Sequence, residues 1–180
     1  MTAVRRTAKA ISLTAENGIF RIEVAVNGVR GSWRVGAEDT LLSALRANGW
    51  KGVKRGCDTG ECGSCTVLVD GTPELACLKL AVSAHGREIT TIEGLGSPAE
   101  PHPLQEAFVE AGAVQCGFCI PGMILVSKAL LDKNPEPSET QIRHALDGNL
   151  CRCTGYVKQV EAVRLAAGKI KNREVRRAGQ

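Results

Sequence analysis

Residues 56–67 are GCDTGECGSCTV, which places three cysteines in one glycine-rich loop: Cys57, Cys62 and Cys65. Cys77 follows after eleven further residues, so the full spacing is C-x4-C-x2-C-x11-C. A [2Fe–2S] cluster needs four thiolates and a backbone that wraps around it with amide N–H groups directed at the sulfurs. Glycine permits the close approach and the positive φ angles that such wrapping requires. The stretch therefore predicts a cluster-binding loop that determines the local fold.

The same four cysteines also fit a zinc site or a pair of disulfides. Structural zinc usually has paired C-x2-4-C knuckles, whereas here three ligands share one loop, the spacing of plant-type ferredoxins. Disulfides form in oxidising compartments. The N-terminal residues contain Arg5-Arg6 but lack the apolar stretch of a secretory signal. The pattern favours iron–sulfur over zinc and predicts a cytoplasmic protein.

A second set of four cysteines has the spacing C-x2-C-x31-C-x-C: Cys116, Cys119, Cys151 and Cys153. Its first two members directly precede a predicted helix with Pro121 in the first turn. The last two lie between two later predicted helices. Loops at one end of antiparallel helices can meet around a metal, and thiolates near helix N-termini are stabilised by the helix dipole. This set alone indicates a metal or cluster site without naming the metal.

The first half of the chain has the pattern of a small α+β unit. Residues 21–26 alternate between polar and apolar and lead into Asn27-Gly28, which predicts a hairpin with 29–35. The other predicted elements are a short helix capped by Asp39 or Thr40, whose apolar positions are Leu41, Leu42 and Leu45, and strands at 66–69 and 89–92.

The second half has helical periodicity after a Gly/Pro-rich linker. Four helices are predicted, and Ser138 with Gln141 forms a capping box for the third. The fold class is therefore α+β, with an all-α four-helix bundle after the first domain. The predicted divisions are a flexible leader 1–19, a first domain 20–93, a linker 94–103, a helical domain 104–168 and a basic tail 169–180.

Composition and charge exclude several functions. Aromatic residues make up only 3% of the chain, too few for a base-stacking platform. The net charge of +4 comes from basic ends on an acidic body, and such ends are usually solvated, so we expect no nucleic-acid partner. No apolar run is long enough for a membrane span. His85, His102 and His144 are isolated, and no nucleotide-binding loop or nucleophile is recognisable, so no catalytic residue is expected in this chain.

Three segments in a fixed order closely resemble the iron–sulfur subunit of the molybdenum hydroxylases, the xanthine dehydrogenase family. They are GCDTGECGSCTV at 56–67, QCGFCIPGM at 115–123 and GNLCRCTGY at 148–156, and the likeness extends over about 20–165. The resemblance implies a β-grasp, plant-type ferredoxin-like domain and a four-helix domain, each with one [2Fe–2S] cluster. It implies that Cys57, Cys62, Cys65 and Cys77 hold the outer cluster, and Cys116, Cys119, Cys151 and Cys153 the molybdenum-side cluster.

The resemblance also implies partners and a function. Gln115 and Cys153 match positions that approach the molybdopterin of a large catalytic subunit, and a medium FAD-binding subunit is the expected electron acceptor. The implied function is single-electron transfer between those centres, in a direction that the sequence does not set. A zinc-stapled interaction module and a free two-cluster ferredoxin stay open as alternatives. Two positions depart from the family pattern, because Ser64 replaces a common alanine and Gln159 replaces a usually apolar residue.

Overall fold

The computed structural model describes residues 15–178, which form a six-stranded mixed sheet followed by helices. The strands are β1 (Ala15–Glu16), β2 (Ile19–Val26), β3 (Val29–Gly36), β4 (Thr66–Val69), β5 (Thr72–Leu75) and β6 (Glu88–Thr90). The predicted hairpin is confirmed, because β2 and β3 pair antiparallel across Asn27-Gly28, both of which have positive φ. The turn at Asp70-Gly71 joins β4 and β5 in the same way.

Helix α1 (Leu41–Ala47) packs against this sheet. Of the two predicted caps, Asp39 and Thr40, the N-cap is Thr40, which accepts a hydrogen bond from the Ser43 N–H. The apolar positions Leu41, Leu42 and Leu45 are fully buried in the first core. Strand β2 pairs with the last strand, β6, in parallel, and β6 continues the sheet through β4 to β5. The predicted α+β character of this half is confirmed.

The first strand pair begins inside the predicted leader 1–19. Strand β1 pairs with the start of β2, Ala15 opposite Phe20 and Glu16 opposite Ile19. The turn between them is Asn17-Gly18, with φ of 52° and 75°. Asn-Gly is a strong hairpin signal, so the same motif that predicted the turn at 27–28 was also present here. The rest of the leader lies outside the described residues.

Four helices follow the linker: α2 (Pro103–Glu110), α3 (Ile120–Lys133), α4 (Glu139–Leu146) and α5 (Val157–Ala178). The predicted capping box of α4 is present in both directions between Ser138 and Gln141. These helices enclose a second core around the fully buried Phe108, Met123 and Ile142. Helix α3 also packs against β4, where Leu68, Leu125 and Ala129 form a small cluster that joins the two halves.

Most of the predicted basic tail 169–180 is the end of α5, which continues to Ala178. Its cations pair with the acidic body: Lys169 contacts Glu110 at 2.7 Å, Arg173 contacts Glu106 at 2.8 Å, and Lys171 pairs with Glu136. Periodicity did not predict this extension because few apolar residues remain after Ile170. None of the helices within 15–178 is long and apolar enough to cross a membrane.

His102 caps α2 and makes this helix sensitive to pH. Its Nδ1 accepts from the Leu104 N–H at 3.2 Å, which only a neutral imidazole can do. Burial lowers the pKa of His102, nearby Lys128 lowers it further, and Asp132 opposes this. The pKa of His102 is lower in the folded state than its ordinary value of about 6.5. The cap therefore makes its full contribution to the stability of the fold at pH values above about 6.5. The contribution is lost as the pH falls through the lowered, folded-state pKa.

We therefore expect His102→Asn to reduce the loss of stability at acid pH, because asparagine caps helices without titrating there. The measurement is the unfolding midpoint of both proteins between pH 5 and 8. The midpoint of the wild type should fall more steeply than that of the variant below about pH 6.5. Parallel curves would contradict the assignment of His102 as the titrating cap.

Candidate iron–sulfur centres

The loop 56–65 wraps its own cysteine sulfur as a cluster-binding loop must. The N–H groups of Thr59 and Cys62 both point at Cys57 Sγ at 3.4 Å. The backbone turns through the left-handed region at Asp58, Gly60 and Gly63, with φ of 59°, 85° and 68°. These turns direct amides inward, which is the pattern that stabilises cluster sulfurs.

Glycine at position 56 is required by close contact rather than by its backbone angles. A Cβ at Gly56 would lie 2.6 Å from Cys62 Sγ, so any other residue there would force the Cys62 side chain or the loop to shift. The loop is anchored outside by Arg55, which donates to Asp58 Oδ2 at 2.6 Å and to Ser43 Oγ on α1 at 2.8 Å. The loop that carries the first three sulfurs is therefore anchored to helix α1 of the first domain.

The pKa values of two thiols in this set, Cys57 and Cys65, are shifted in opposite directions. Contacts with Thr59, first its side chain and then its backbone N–H, together with the Cys62 N–H, lower the pKa of Cys57 to about 6. Burial raises the pKa of Cys65 to about 12, and the adjacent Cys77 thiol adds to that increase. A bound metal deprotonates its thiol ligands outright. We therefore expect cluster loading to release protons, including that of the buried Cys65 thiol.

The second set of cysteines meets at the N-terminal end of α3, in two loops far apart in sequence. Cys153 Sγ lies 3.4 Å from Cys116 Sγ, and the Cys119 and Cys151 thiols form a second hydrogen-bonded pair. Cys119 is buried and is the N-cap residue of α3, whereas Cys116 and Cys153 are exposed. The set therefore presents one pair of thiols to the surface and one to the core.

Neighbouring polar groups direct hydrogen bonds at this set. Thr154 Oγ1 donates to Cys151 Sγ at 3.1 Å, and the Tyr156 hydroxyl bridges the backbone N–H and C=O of Cys151 at 2.8 and 3.2 Å. Burial raises the pKa of Cys151, but hydrogen bonds, first from Thr154 and then from Cys153 N–H, outweigh it and the pKa is lowered. The N–H of Phe118 lowers the pKa of Cys116, whereas burial raises the pKa of Cys119 to about 12.

The two cysteine loops contact each other directly. The Leu150 N–H donates to the Cys62 carbonyl at 2.9 Å. Close glycine contacts surround this bond, since a Cβ at Gly63 would lie 2.4 Å from the Gly148 carbonyl oxygen. A Cβ at Gly122 on α3 would lie 2.4 Å from the Gly63 oxygen. Leu150, the residue before Cys151 of the second set, is therefore hydrogen-bonded directly to Cys62 of the first set.

The arrangement of the thiols tests the three alternatives that the spacing left open. All eight cysteines are free thiols, so disulfides are absent. Among residues 15–178, no group of three or more His, Cys, Asp and Glu side chains is placed to hold a metal ion. In the second set the thiols approach in pairs, Cys116 with Cys153 and Cys119 with Cys151. A binuclear cluster takes two ligands at each iron, so pairing fits [2Fe–2S] better than tetrahedral zinc.

Comparisons with known proteins agree with this chemistry. Residues 24–87 match a family described as "2Fe-2S iron-sulfur cluster binding domain", and 91–164 match a "[2Fe-2S] binding domain". The nicotinate dehydrogenase small FeS subunit of Eubacterium barkeri is 49% identical over 84% of this chain and 97% of its own. The chain belongs to the iron–sulfur subunits of the molybdenum hydroxylases. As such a subunit it carries two [2Fe–2S] clusters and transfers electrons within an oxidoreductase complex.

Solved structures of this family share the fold of the subunit. Quinoline 2-oxidoreductase from Pseudomonas putida 86 superposes with a TM-score of 0.82 at 40% identity, over 86% of this chain and 98% of that one. The aldehyde oxidoreductase from Desulfovibrio desulfuricans ATCC 27774 also superposes with a TM-score of 0.82, at 42% identity over 84% of this chain. The match covers only 17% of that longer chain.

The structure brings Cys116 and Cys119 together with Cys151 and Cys153, but sequence reasoning missed the residues that join and support the cysteine loops. Leu150 and Gly122 were not singled out because their roles depend on contacts between distant segments. Gln115 is exposed beside Cys116, so it is accessible to a partner. Ser64 is buried, and no hydrogen bond from it to a sulfur occurs within the described chain. Gln159, whose packing was in question, is completely buried.

Proposed function

We propose that this subunit passes single electrons between the molybdopterin centre of a large catalytic subunit and a separate acceptor. In this proposal Cys57, Cys62, Cys65 and Cys77 hold the outer cluster, and Cys116, Cys119, Cys151 and Cys153 hold the molybdenum-side cluster. The observation that carries it is the hydrogen bond from Leu150 N–H to the Cys62 carbonyl. The bond connects the two ligand sets through the backbone of Cys62 and the peptide that joins Leu150 to Cys151.

When bound, each [2Fe–2S] cluster supplies one-electron redox chemistry. The chain's own residues fix where the clusters sit and how they are solvated. Thr59, Cys62 and Thr154 direct hydrogen bonds at sulfurs, and burial of Cys65, Cys77 and Cys119 excludes water from one side of each centre. In this proposal, the direct contact between the two loops keeps the two centres close to each other. No residue of this chain needs to act on the substrate.

The exposed side of the second set is the surface we propose for the large subunit. Cys116, Cys153 and Gln115 are all exposed there, in accord with the proposed contacts of Gln115 and Cys153 with molybdopterin. Apolar side chains of the same loops are also exposed, Phe118 by 45%, Leu150 by 57% and Val157 by 56%. Large apolar residues around a surface cofactor site are typical of a protein interface. In the aldehyde oxidoreductase match, this subunit corresponds to one part of a longer chain.

The acceptor is proposed to approach the outer cluster. Leu78 and Leu80 are exposed next to Cys77, and Leu78 covers the loop at Gly60. A medium FAD-binding subunit is the proposed occupant of this side. We further propose that the two cluster domains are a β-grasp domain within 20–93 and a four-helix bundle within 104–168, and that the complex is cytoplasmic.

The proposal is tested by purifying the tagged subunit from its native cells and measuring molybdenum and molybdopterin in the eluate. We expect both in proportion to the subunit. The variant Val157→Asp should reduce their recovery at least tenfold, because it places a charge in the proposed interface. Val29→Asp is the matched control, since Val29 is 64% exposed at the β2–β3 turn, away from both cysteine sets.

Two outcomes would contradict this function. A subunit that elutes alone with both clusters and no molybdenum would instead be a free two-cluster ferredoxin. Equal molybdenum recovery with Val157→Asp and Val29→Asp would show that the interface with the large subunit does not lie at the second cysteine set. Aspartate at the first position of α5 suits the helix dipole, so lost recovery would not result from unfolding of that helix.

A further inference from the structure

Gln159 is a buried amide on a helix face that is otherwise apolar. It is 0% exposed and lies on α5 beside Val160, Ala162 and Val163, which are also buried. Its Nε2 donates to the Ala113 carbonyl at 3.1 Å and to Thr154 Oγ1 at 2.8 Å. Its Oε1 has no hydrogen-bond partner within the described chain. An amide oxygen buried without a partner costs free energy, so the useful contacts of this residue are those of its nitrogen.

The orientation of the Gln159 amide follows from its partners. Both contacts are made by one atom, and the Ala113 carbonyl can only accept. That atom must therefore be nitrogen, because an oxygen there would face another acceptor at 3.1 Å. Thr154 Oγ1 consequently accepts a hydrogen from Gln159. The Tyr156 N–H also points at Thr154 Oγ1, at 3.5 Å.

With its oxygen occupied as an acceptor, the Thr154 hydroxyl directs its own proton elsewhere. The available acceptor is Cys151 Sγ at 3.1 Å. The result is a polarised series in which Gln159 donates to Thr154 and Thr154 donates to Cys151. The Ala113 carbonyl anchors the other end of the series in the loop that leads to Cys116. Gln159 therefore links the two loops of the second cysteine set and fixes the direction of the hydrogen bond to one of its sulfurs.

We propose that Gln159 is a positioning residue that raises the reduction potential of the second cluster through Thr154. This inference rests on the proposed ligand role of Cys151. A hydrogen bond to a ligand sulfur stabilises the reduced cluster, which carries one more negative charge, more than the oxidised cluster. Removing the fixed donor should lower the midpoint potential of this cluster alone. In an electron-transfer series, that change alters how the electron is shared between the two clusters.

The test is a redox titration of the intact complex, followed by EPR of both clusters. Gln159→Met is the main variant, because methionine has a similar length and shape and suits an apolar core. We expect full iron content, a lower midpoint potential for the second cluster and an unchanged potential for the first. Thr154→Val should produce a shift at least as large, whereas Thr154→Ser should retain the wild-type potential. The double variant with Gln159→Met and Thr154→Val should match Thr154→Val alone.

An unchanged potential of the second cluster in Gln159→Met with full iron content would overturn the inference and leave the proposed function intact. Additive shifts in the double variant would also overturn it, because Gln159 would then act independently of Thr154. If Gln159→Met loads incompletely, Gln159→Leu provides the same comparison with the kind of side chain more usual in the family. Absence of two cluster signals in the wild-type complex would instead contradict the proposed function itself.

Discussion

Replacing Cys116 by serine is expected to remove the second cluster, stop turnover and weaken assembly with the large subunit. Cys116 is exposed, and its sulfur lies 3.4 Å from Cys153 Sγ. Serine keeps the size of the side chain but lacks the easily ionised, soft sulfur that iron–sulfur clusters require. Loss of this ligand also opens the centre at the surface where we place the partner. Iron should fall from about four atoms per chain to about two.

The measurements for Cys116→Ser are iron per chain, EPR of the reduced protein, and turnover of the complex. The signal of the first cluster should be retained, because its four cysteines lie in other segments. Arg152→Ala is the control for disturbance of the same site, since Arg152 is exposed between two of its cysteines. Full turnover by Cys116→Ser would contradict the proposed electron route.

A single methyl group at position 122 is expected to separate the two cysteine loops. Gly122 is buried in α3, and a Cβ there would lie 2.4 Å from the Gly63 oxygen and 3.0 Å from Asn149 Oδ1. To relieve these contacts, α3 or the first cysteine loop would have to move. Overpacking of this kind lowers the free energy of unfolding by about 1–3 kcal/mol. We expect Gly122→Ala to lower the unfolding midpoint and slow electron transfer between the clusters.

Gly168→Ala is the matched control, because it makes the same change within a helix. A Cβ at Gly168 meets nothing within 4 Å, so alanine there should stabilise α5 by up to about 1 kcal/mol. Thermal unfolding of both variants, with iron content measured in parallel, gives the comparison. If both variants were equally stabilised, the close docking of the two loops would not exist.

Local signals in the sequence predicted most of the secondary structure. Asn27-Gly28 fixed the central hairpin, Thr40 the start of α1, and Ser138 with Gln141 the start of α4, because each acts through contacts within a few residues. The turn at Asn17-Gly18 had the same signal and was overlooked, so the first strand pair was included in the leader. Helix α5 continues past its last strongly apolar turn because ion pairs with α2 stabilise the additional turns.

The candidate site was only partly predictable for a related reason. Cysteine spacing predicts both proposed ligand sets, since loop length and glycine content limit which sulfurs can meet. The contact between Leu150 and Cys62 joins residues far apart in sequence and depends on how α3 packs against β4. The departure at Gln159 was visible in the sequence as a polar residue at an apolar position. Its role required the positions of Ala113 and Thr154, which only the fold provides.

The central claim is that this chain holds two [2Fe–2S] clusters in the two cysteine sets. The most direct test is iron and acid-labile sulfide per chain, together with EPR of the dithionite-reduced protein. We predict about four iron and four sulfide, with two distinct rhombic signals. Zinc without an EPR signal would contradict the claim and leave a metal-stapled binding module.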